Sequence, residues 1–406
     1  MNKVVKGSFE LMKKLNVEAI LKVIKEYGRL SRADIAKLTG LTPASVTNIT
    51  KILIESDYLI ERGIGESSGG RPPILLEINI KARYVIGVSI GVGNIEVALT
   101  DLGANIRLKK SLYIDERNTD EENVFIHLIN LINEVLEISE VDRRKIAGIG
   151  VAMHGIVNPI LGISQYAPYY KWKNINIKSI LEEKFDYPVF VDNDVRAIAL
   201  GESLFGVAKG IENFIEINIS NGIGAGIIID NKPYYGMDYS AGEIGHIVVE
   251  QDGALCKCGN YGCLESVASN KSIERRVIRS IKQGISSSLV DDIEDIEKIT
   301  IKDILIAALK GDELSNVVLK EASRYIGVGI SSLVTILNPK LIVMVGDIFD
   351  ENKIMIETLS ETVKKRGLSI SNENLKILKS SLGQNASVIG ATALAIQEVF
   401  KGKEFM

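Results

Sequence analysis

The chain is 406 residues long, with 48 Lys+Arg against 52 Asp+Glu, 46% hydrophobic and 25% charged. That length supports two or three domains with ample buried core, and the composition is that of an ordinary soluble globular protein. No run of 18 or more apolar residues occurs, which argues against a membrane-spanning helix. The opening MNKVVKGSFELMKKLN lacks the apolar segment of a signal peptide. Three cysteines crowded into one stretch argue against a disulfide framework, so the expected compartment is the cytoplasm.

Charge is unevenly spread. Residues 1–72 carry 12 Lys+Arg and 8 Asp+Glu, a balance of +4, and the rest of the chain balances at −8. A basic segment on an acidic body points to an anionic partner for the N-terminus.

Three helices are expected in the first 56 residues. Asn16 is placed to cap a helix bearing Ile20, Val23 and Ile24 that stops at Gly28, and Ser31 a second that stops at Gly40. Thr42-Pro43 opens a third, because proline at the first helical position gives up no needed hydrogen bond. Its inner face holds Val46, Ile49, Thr50 and Leu53, and its outer face Ala44, Ser45, Thr47, Asn48 and Lys51. The second and third helices read as a helix-turn-helix whose small polar groups can enter a major groove; a plain helical bundle is the alternative. Two short strands, 58–61 and 74–78, flank Ser67-Ser68-Gly69-Gly70-Arg71-Pro72-Pro73, which reads as a wing that lays Arg71 into a minor groove, as a linker, or as both.

Residues 84–100 alternate as a β-hairpin, a helix is expected near 122–138, and strands at 146–152 and 188–192. A second Gly-rich hairpin at 215–230 echoes the first, which suggests a duplicated, two-lobed α/β fold with a cleft. Residues 242–266 contain every cysteine, Cys256, Cys258 and Cys263, and one of three histidines, His246. Three thiolates and an imidazole make a closed Cys3His set for structural zinc, the plainer alternative being unlinked core cysteines. Asn193, Asp194, Glu243, His246 and Glu265 supply carboxylates, an amide and an imidazole suited to a polyhydroxylated ligand, although each carboxylate alone suits a solvated surface.

These stretches resemble the ROK family, which groups bacterial repressors with sugar kinases, and within it most closely the xylose-operon repressors. The resemblance is carried by SRADIAKLTGLTPASVTNITKILIE, SSGGRPP, VDNDVRAIALGE, GEIGHIVV, CKCGNYGCLE, IGVGISSLVTILNPKLIVMVGDI and GATALA. It implies a winged helix at 1–80, then an actin/hexokinase-like, RNase H-like body. The first lobe is expected at 81–196, completed by a C-terminal helix at about 385–406, and the second, with the zinc site, at 197–384. It carries sugar contacts onto Gly155, Asn193, Asp194, Glu243, His246 and Glu265, and zinc ligands onto His246, Cys256, Cys258 and Cys263. Met153-His154 stand where the kinases commonly show a Pro-Gly pair.

The first hairpin departs from the kinases. They look like Asp-x-Gly-Gly-Thr-Lys there, whereas this chain reads Ser89-Ile90-Gly91-Val92-Gly93-Asn94. Without the acid, the hydroxyl and the lysine, little is left to stabilise a transferring phosphoryl group. The expectation is therefore a non-enzyme: a sugar-responsive transcriptional repressor of a carbohydrate operon, xylose or glucose being the expected effector. It would be a homodimer or higher oligomer on operator DNA, with Ser45, Thr47, Asn48, Lys51 and Arg71 at the grooves and Arg32 at phosphate. A sugar kinase with residual activity, or a repressor controlled by a protein partner, are the alternatives.

Overall fold

In the computed structural model, residues 9–64, 72–115, 117–349, 353–368 and 373–401 are described. Helix α1 spans Phe9–Tyr27, and its buried stripe Val17, Ile20, Leu21 and Ile24 follows the 3.6-residue period. Asn16 lies inside this helix and does not cap it. The run before it holds good helix formers and neither Gly nor Pro, which outweighs the modest propensity cost of one interior asparagine. Helix α2, Arg32–Thr39, starts from a capping box of Ser31 and Asp34 and ends at Gly40 in the left-handed conformation. Helix α3, Pro43–Glu55, is capped by Thr42, whose side chain accepts from the Ser45 N–H.

Strand β1 (Leu30–Ser31), β2 (Leu59–Ile64) and β3 (Ile74–Ile78) form an antiparallel sheet in the order β1-β3-β2. Three helices with this sheet make a winged helix.

The body holds two five-stranded sheets. The first joins β4 (Tyr84–Ile90), β5 (Asn94–Asp101), β6 (Ile106–Tyr113), β7 (Ile146–Met153) and β11 (Val189–Asn193) in the order β11-β7-β4-β5-β6. The second joins β12 (Phe214–Ile219), β13 (Ile223–Ile229), β14 (Lys232–Pro233), β15 (Leu341–Val345) and β16 (Lys376–Lys379) in the order β14-β13-β12-β15-β16. In each, the first strand pairs antiparallel with the second and parallel with the fourth, so the two sheets repeat one topology. A small sheet of β8 (Ile156–Asn158), β9 (Ile163–Ala167) and β10 (Trp172–Asn176) sits beside the first.

Alternation along β4 explains the layering. Ile86, Val88 and Ile90 enter the core under helix α4 (Glu121–Ser139), while Val85 and Gly87 face the C-terminal helix, Ala386–Phe400. That helix lies close on the sheet because β7 offers Gly150, where a Cβ would fall 1.8 Å from the Ala391 carbonyl oxygen. Helix α5 (Ile177–Phe185) packs on β11, and helix α6 (Asp194–Phe205) packs on the C-terminal helix and on β12 and β13. The order across the middle is first sheet, C-terminal helix, α6, second sheet. Ile217, Ile219, Ile342 and Met344 line the core beyond the second sheet, under the helix Glu313–Leu337. No described helix is long and apolar enough to cross a membrane.

Candidate functional site

On α3 the buried side is Val46, Ile49, Thr50 and Leu53, which turns Thr47, Asn48 and Lys51 outward and leaves Ser45 half-buried. Thr42 Oγ1 donates to Ser45 Oγ at 2.9 Å, and Thr47 Oγ1 donates to the Pro43 carbonyl at 2.8 Å, so both hydroxyl rotors are set. Lys51 Nζ lies 3.8 Å from Glu55, an exposed pair that holds it weakly. Arg32 is engaged otherwise: its guanidinium meets Glu61 at 2.9 Å and Thr50 Oγ1 at 3.2 Å. Arg71 lies outside the described residues.

His246, Cys256, Cys258 and Cys263 converge, with their ligand atoms all within 4.8 Å of one another. Cys258 Sγ is 3.7 Å from Cys263 Sγ, and Cys256 Sγ is 3.7 Å from His246 Nδ1. A tetrahedral zinc with sulfur at about 2.3 Å requires sulfur pairs about 3.8 Å apart. The donor set and its spacing therefore fit zinc and leave no coordination position for a substrate. Bridges Val248–Cys263 and Leu255–Tyr261 fold the intervening turns around this point. The other imidazole nitrogen, Nε2, lies 3.8 Å from Glu243 Oε2, so one ring faces both the cysteine sulfurs and the neighbouring carboxylate.

The start of α6 gathers the remaining polar groups. Asn193 caps it, with Oδ1 accepting from the N–H groups of Val195 and Arg196, both at 3.1 Å. Its Nδ2 donates to the Gly155 carbonyl and to Asp194 Oδ1, each at 2.9 Å. Gly155 holds φ +90°, and a Cβ there would sit 2.2 Å from the Tyr166 carbonyl oxygen, so glycine is required to present that carbonyl. Burial pushes the Asp194 carboxyl up, against the pull of His154. Glu265 Oε2 accepts from the Ile223 N–H at 3.1 Å, at the turn of the second Gly-rich hairpin. Burial also raises Glu243, which His246 opposes. Between the hairpin turns of the two sheets lies a cavity of about 250 Å³ whose walls include Gly91, Val92, Asp194, Asn221, Gly346 and Lys379.

Three groups were given no role from the sequence. Asp192 near the end of β11 and Arg196 of α6 form a buried pair, two guanidinium nitrogens lying 2.7 and 2.8 Å from Asp192 Oδ1. Arg196 also donates to the carbonyls of Tyr239 at 2.8 Å and Val157 at 3.1 Å, tying α6 to β8 and to the segment before Glu243. Glu216, at the centre of β12, has both carboxylate oxygens buried without a hydrogen-bond partner. His154 is buried with Nε2 likewise unpartnered, a state that costs about 1–3 kcal/mol for a typical buried polar group. Only His154 had a signal, the Met153-His154 pair beside Gly155.

A winged helix ahead of two repeated RNase H-like sheets, with a Cys3His cluster beside the cleft, defines a DNA-binding module joined to an actin/hexokinase-like body. Residues 85–398 match the ROK family and residues 16–60 a winged helix-turn-helix DNA-binding family. The chain belongs to the ROK family. It is 33% identical over 401 residues to a xylose repressor of Caldicellulosiruptor bescii, covering 98% of this chain and all of that one. It is 34% identical over 396 residues to the Escherichia coli transcriptional dual regulator NagC, covering 98% and 96%. Among solved structures, a ROK family transcriptional regulator described as a homologue of E. coli MLC superposes with TM-score 0.85 at 33% identity, covering 96% and 97%. A ROK family glucokinase from Streptomyces griseus, solved with glucose and AMPPNP, superposes with TM-score 0.69 at 27% identity and matches 77% of this chain.

Proposed function

We propose that the protein is a transcriptional repressor whose affinity for operator DNA is set by a sugar bound between the lobes. The observation that carries this reading is the route from the cleft to the DNA-binding module. Helix α6 begins at Asn193 and Asp194 and ends at Phe205, and the Lys25 ammonium of α1 sits over the Phe205 ring at 5.5 Å and the Phe400 ring at 4.7 Å. One apolar cluster runs from Val17, Ile20, Leu21 and Ile24 of α1 to Ile396, Val399 and Phe400 of the C-terminal helix. A sugar that favours one lobe arrangement thereby acts on the seat of the winged helix.

In this reading Gly155, Asn193, Asp194, Glu243, His246 and Glu265 hold the sugar, with Asp194 a hydrogen-bonding group and not a base. Ser45, Thr47, Asn48, Lys51 and Arg71 reach the grooves, and Arg32 reaches phosphate by exchanging its Glu61 partner. Zinc on His246, Cys256, Cys258 and Cys263 supplies cross-linking of the loop, fixing the ring angle of His246. Repressor relatives named for xylose and for N-acetylglucosamine support a carbohydrate effector, of which we take xylose or glucose first. The body works as two lobes, 81–196 with the C-terminal helix and 197–384, in a cytoplasmic homodimer or higher oligomer. Val92 puts a branched side chain where a phosphate donor needs close backbone approach, which supports an absence of phosphoryl transfer.

The test is a footprint on the DNA upstream of the protein's own gene, together with an ATP-turnover assay on xylose and glucose. A defined footprint whose affinity falls steeply with salt, and no turnover, is expected. Sugar-dependent ATP turnover without a footprint overturns the reading.

A further inference from the structure

Three segments carry groups that the sugar-controlled reading places around the ligand: Gly155 beside β8, Asn193 and Asp194 at the start of α6, and Glu243. They come from both lobes, and one buried side chain joins them. Arg196, 3% exposed, directs Nε and Nη2 at Asp192 Oδ1, at 2.8 and 2.7 Å, which seats the guanidinium on the end of β11. Nη2 also donates to the Val157 carbonyl at 3.1 Å, just past Gly155 in the first lobe. Nη1 donates to the Tyr239 carbonyl at 2.8 Å, one short turn before Glu243 in the second lobe. The far segment is shaped to receive this grip. Tyr239 holds φ +60°, a conformation that a bulky residue keeps only when its surroundings impose it. The Tyr235 ring faces the guanidinium at 5.2 Å and meets the Tyr239 ring edge-on at 6.2 Å. Beyond Tyr239, the Gly242 carbonyl accepts from the Ala225 N–H of β13 at 2.8 Å, so residues 239–243 run from Arg196 to the second sheet.

We propose that Arg196 is the positioning residue of the effector site: seated on Asp192, it grips one main-chain carbonyl from each lobe and so holds Gly155, Asn193, Asp194 and Glu243 in a single geometry. This rests on the sugar-controlled reading above. Any change in the relation of the lobes moves Tyr239 against Val157 and has to pass through this guanidinium. A planar fork with donors in fixed directions satisfies a carboxylate and two carbonyls at once; a lysine ammonium, donating from one atom, cannot occupy all three positions. A buried ion pair without such a role can be exchanged for apolar side chains of like volume at little cost. Here that exchange leaves the Val157 and Tyr239 carbonyls without their donor and frees residues 239–243 from the first lobe.

The experiment is calorimetric titration of the full chain with xylose, glucose and N-acetylglucosamine, with thermal unfolding alongside. It compares the unaltered protein with Arg196→Lys, which keeps a charge opposite Asp192, and with the double variant Asp192→Leu with Arg196→Met, which removes both charges and fills the space. Expected in both variants is a tenfold or greater loss of affinity for the sugar that the unaltered protein binds, the double variant melting close to the parent. A double variant that melts with the parent and binds sugar within threefold of it makes the pair structural only and overturns the proposal, as does an Arg196→Lys variant that binds equally well. A further arm needs no variant. Hydrogen exchange on the unaltered protein should show saturating sugar slowing residues 155–158 and 239–246 together; slowing confined to one of these segments overturns the proposal. If the unaltered protein binds none of the three sugars, the sugar-controlled reading falls and this one with it. If it binds sugar and the outcomes above fail, only the role of Arg196 falls.

Discussion

Glu216 occupies the face of β12 that looks toward α6, beside Gly226, with both carboxylate oxygens buried. Burial, reinforced by Glu202 and Asp194, pushes its pKa well above the usual carboxylate range. The folded protein therefore keeps this proton after the unfolded chain has lost it. Its contribution is fully present below the unfolded value and declines as pH climbs toward the folded one. Glu216→Gln keeps the shape and removes the titration. Thermal unfolding should show it more stable than the parent at pH 8, by on the order of 1 kcal/mol, and equal to it near pH 4; equal stability at both pH values contradicts the assignment. Cys258 poses the opposite case, a group whose partner is missing when it is changed. Cys258→Ala should hold less than a tenth of the parent's zinc by elemental analysis and unfold at lower temperature, and the parent should lose stability on chelation. The cysteines were legible in the sequence because their ligand spacing is local. Glu216, Asp192 and His154 were not, because an ionisable side chain looks the same in sequence whether its neighbours come from its own lobe or the other.

In the proposed function, helix α3 is the element that reads the DNA. Its caps, its inner stripe and its outer polar face all follow from residues within one or two turns, so the sequence showed them correctly. Asn48→Ala should weaken specific operator binding by about 1–3 kcal/mol, roughly 5- to 150-fold, while leaving non-specific DNA affinity unchanged. Lys51→Ala should lower the slope of log K against log salt by about 1. Both are read by fluorescence anisotropy across a salt series; Asn48→Ala with full operator specificity would remove α3 from the groove. Longer-range elements were less legible. Helix α1 starts at Phe9, seven residues before the expected cap, since Asn16 marked a possible start that the helix-forming run before it overrides. Nor could the sequence show how α6 and the C-terminal helix stack between the sheets, because close approaches such as Gly150 to Ala391 join residues some 240 positions apart.

At the scale of the molecule, the two repeated sheets meet at this helix pair, and the pair also seats the winged helix. Lys25 sits at that contact, over the Phe205 and Phe400 rings. Burial, aided by Lys209, draws its pKa down to about 8, and the two aromatic faces offset part of that cost. A lysine depressed in this way is released to the solvent value on unfolding. Stability should rise as pH climbs from about 8 toward the ordinary 10.5, and Lys25→Met should flatten that rise in thermal unfolding. Lys25→Met should also keep sugar and DNA binding and reduce the coupling between them to less than threefold. Coupling is reciprocal, so DNA must change sugar affinity by the same factor that sugar changes DNA affinity.

The most direct measurement is therefore the dissociation constant of the intact protein for its upstream operator, at fixed salt, without sugar and with xylose or glucose at saturation. A change of tenfold or more, about 1.4 kcal/mol, matched by an equal change in sugar affinity when DNA is saturating, is the expected result. A sugar that binds the cleft and leaves operator affinity unchanged would contradict the account.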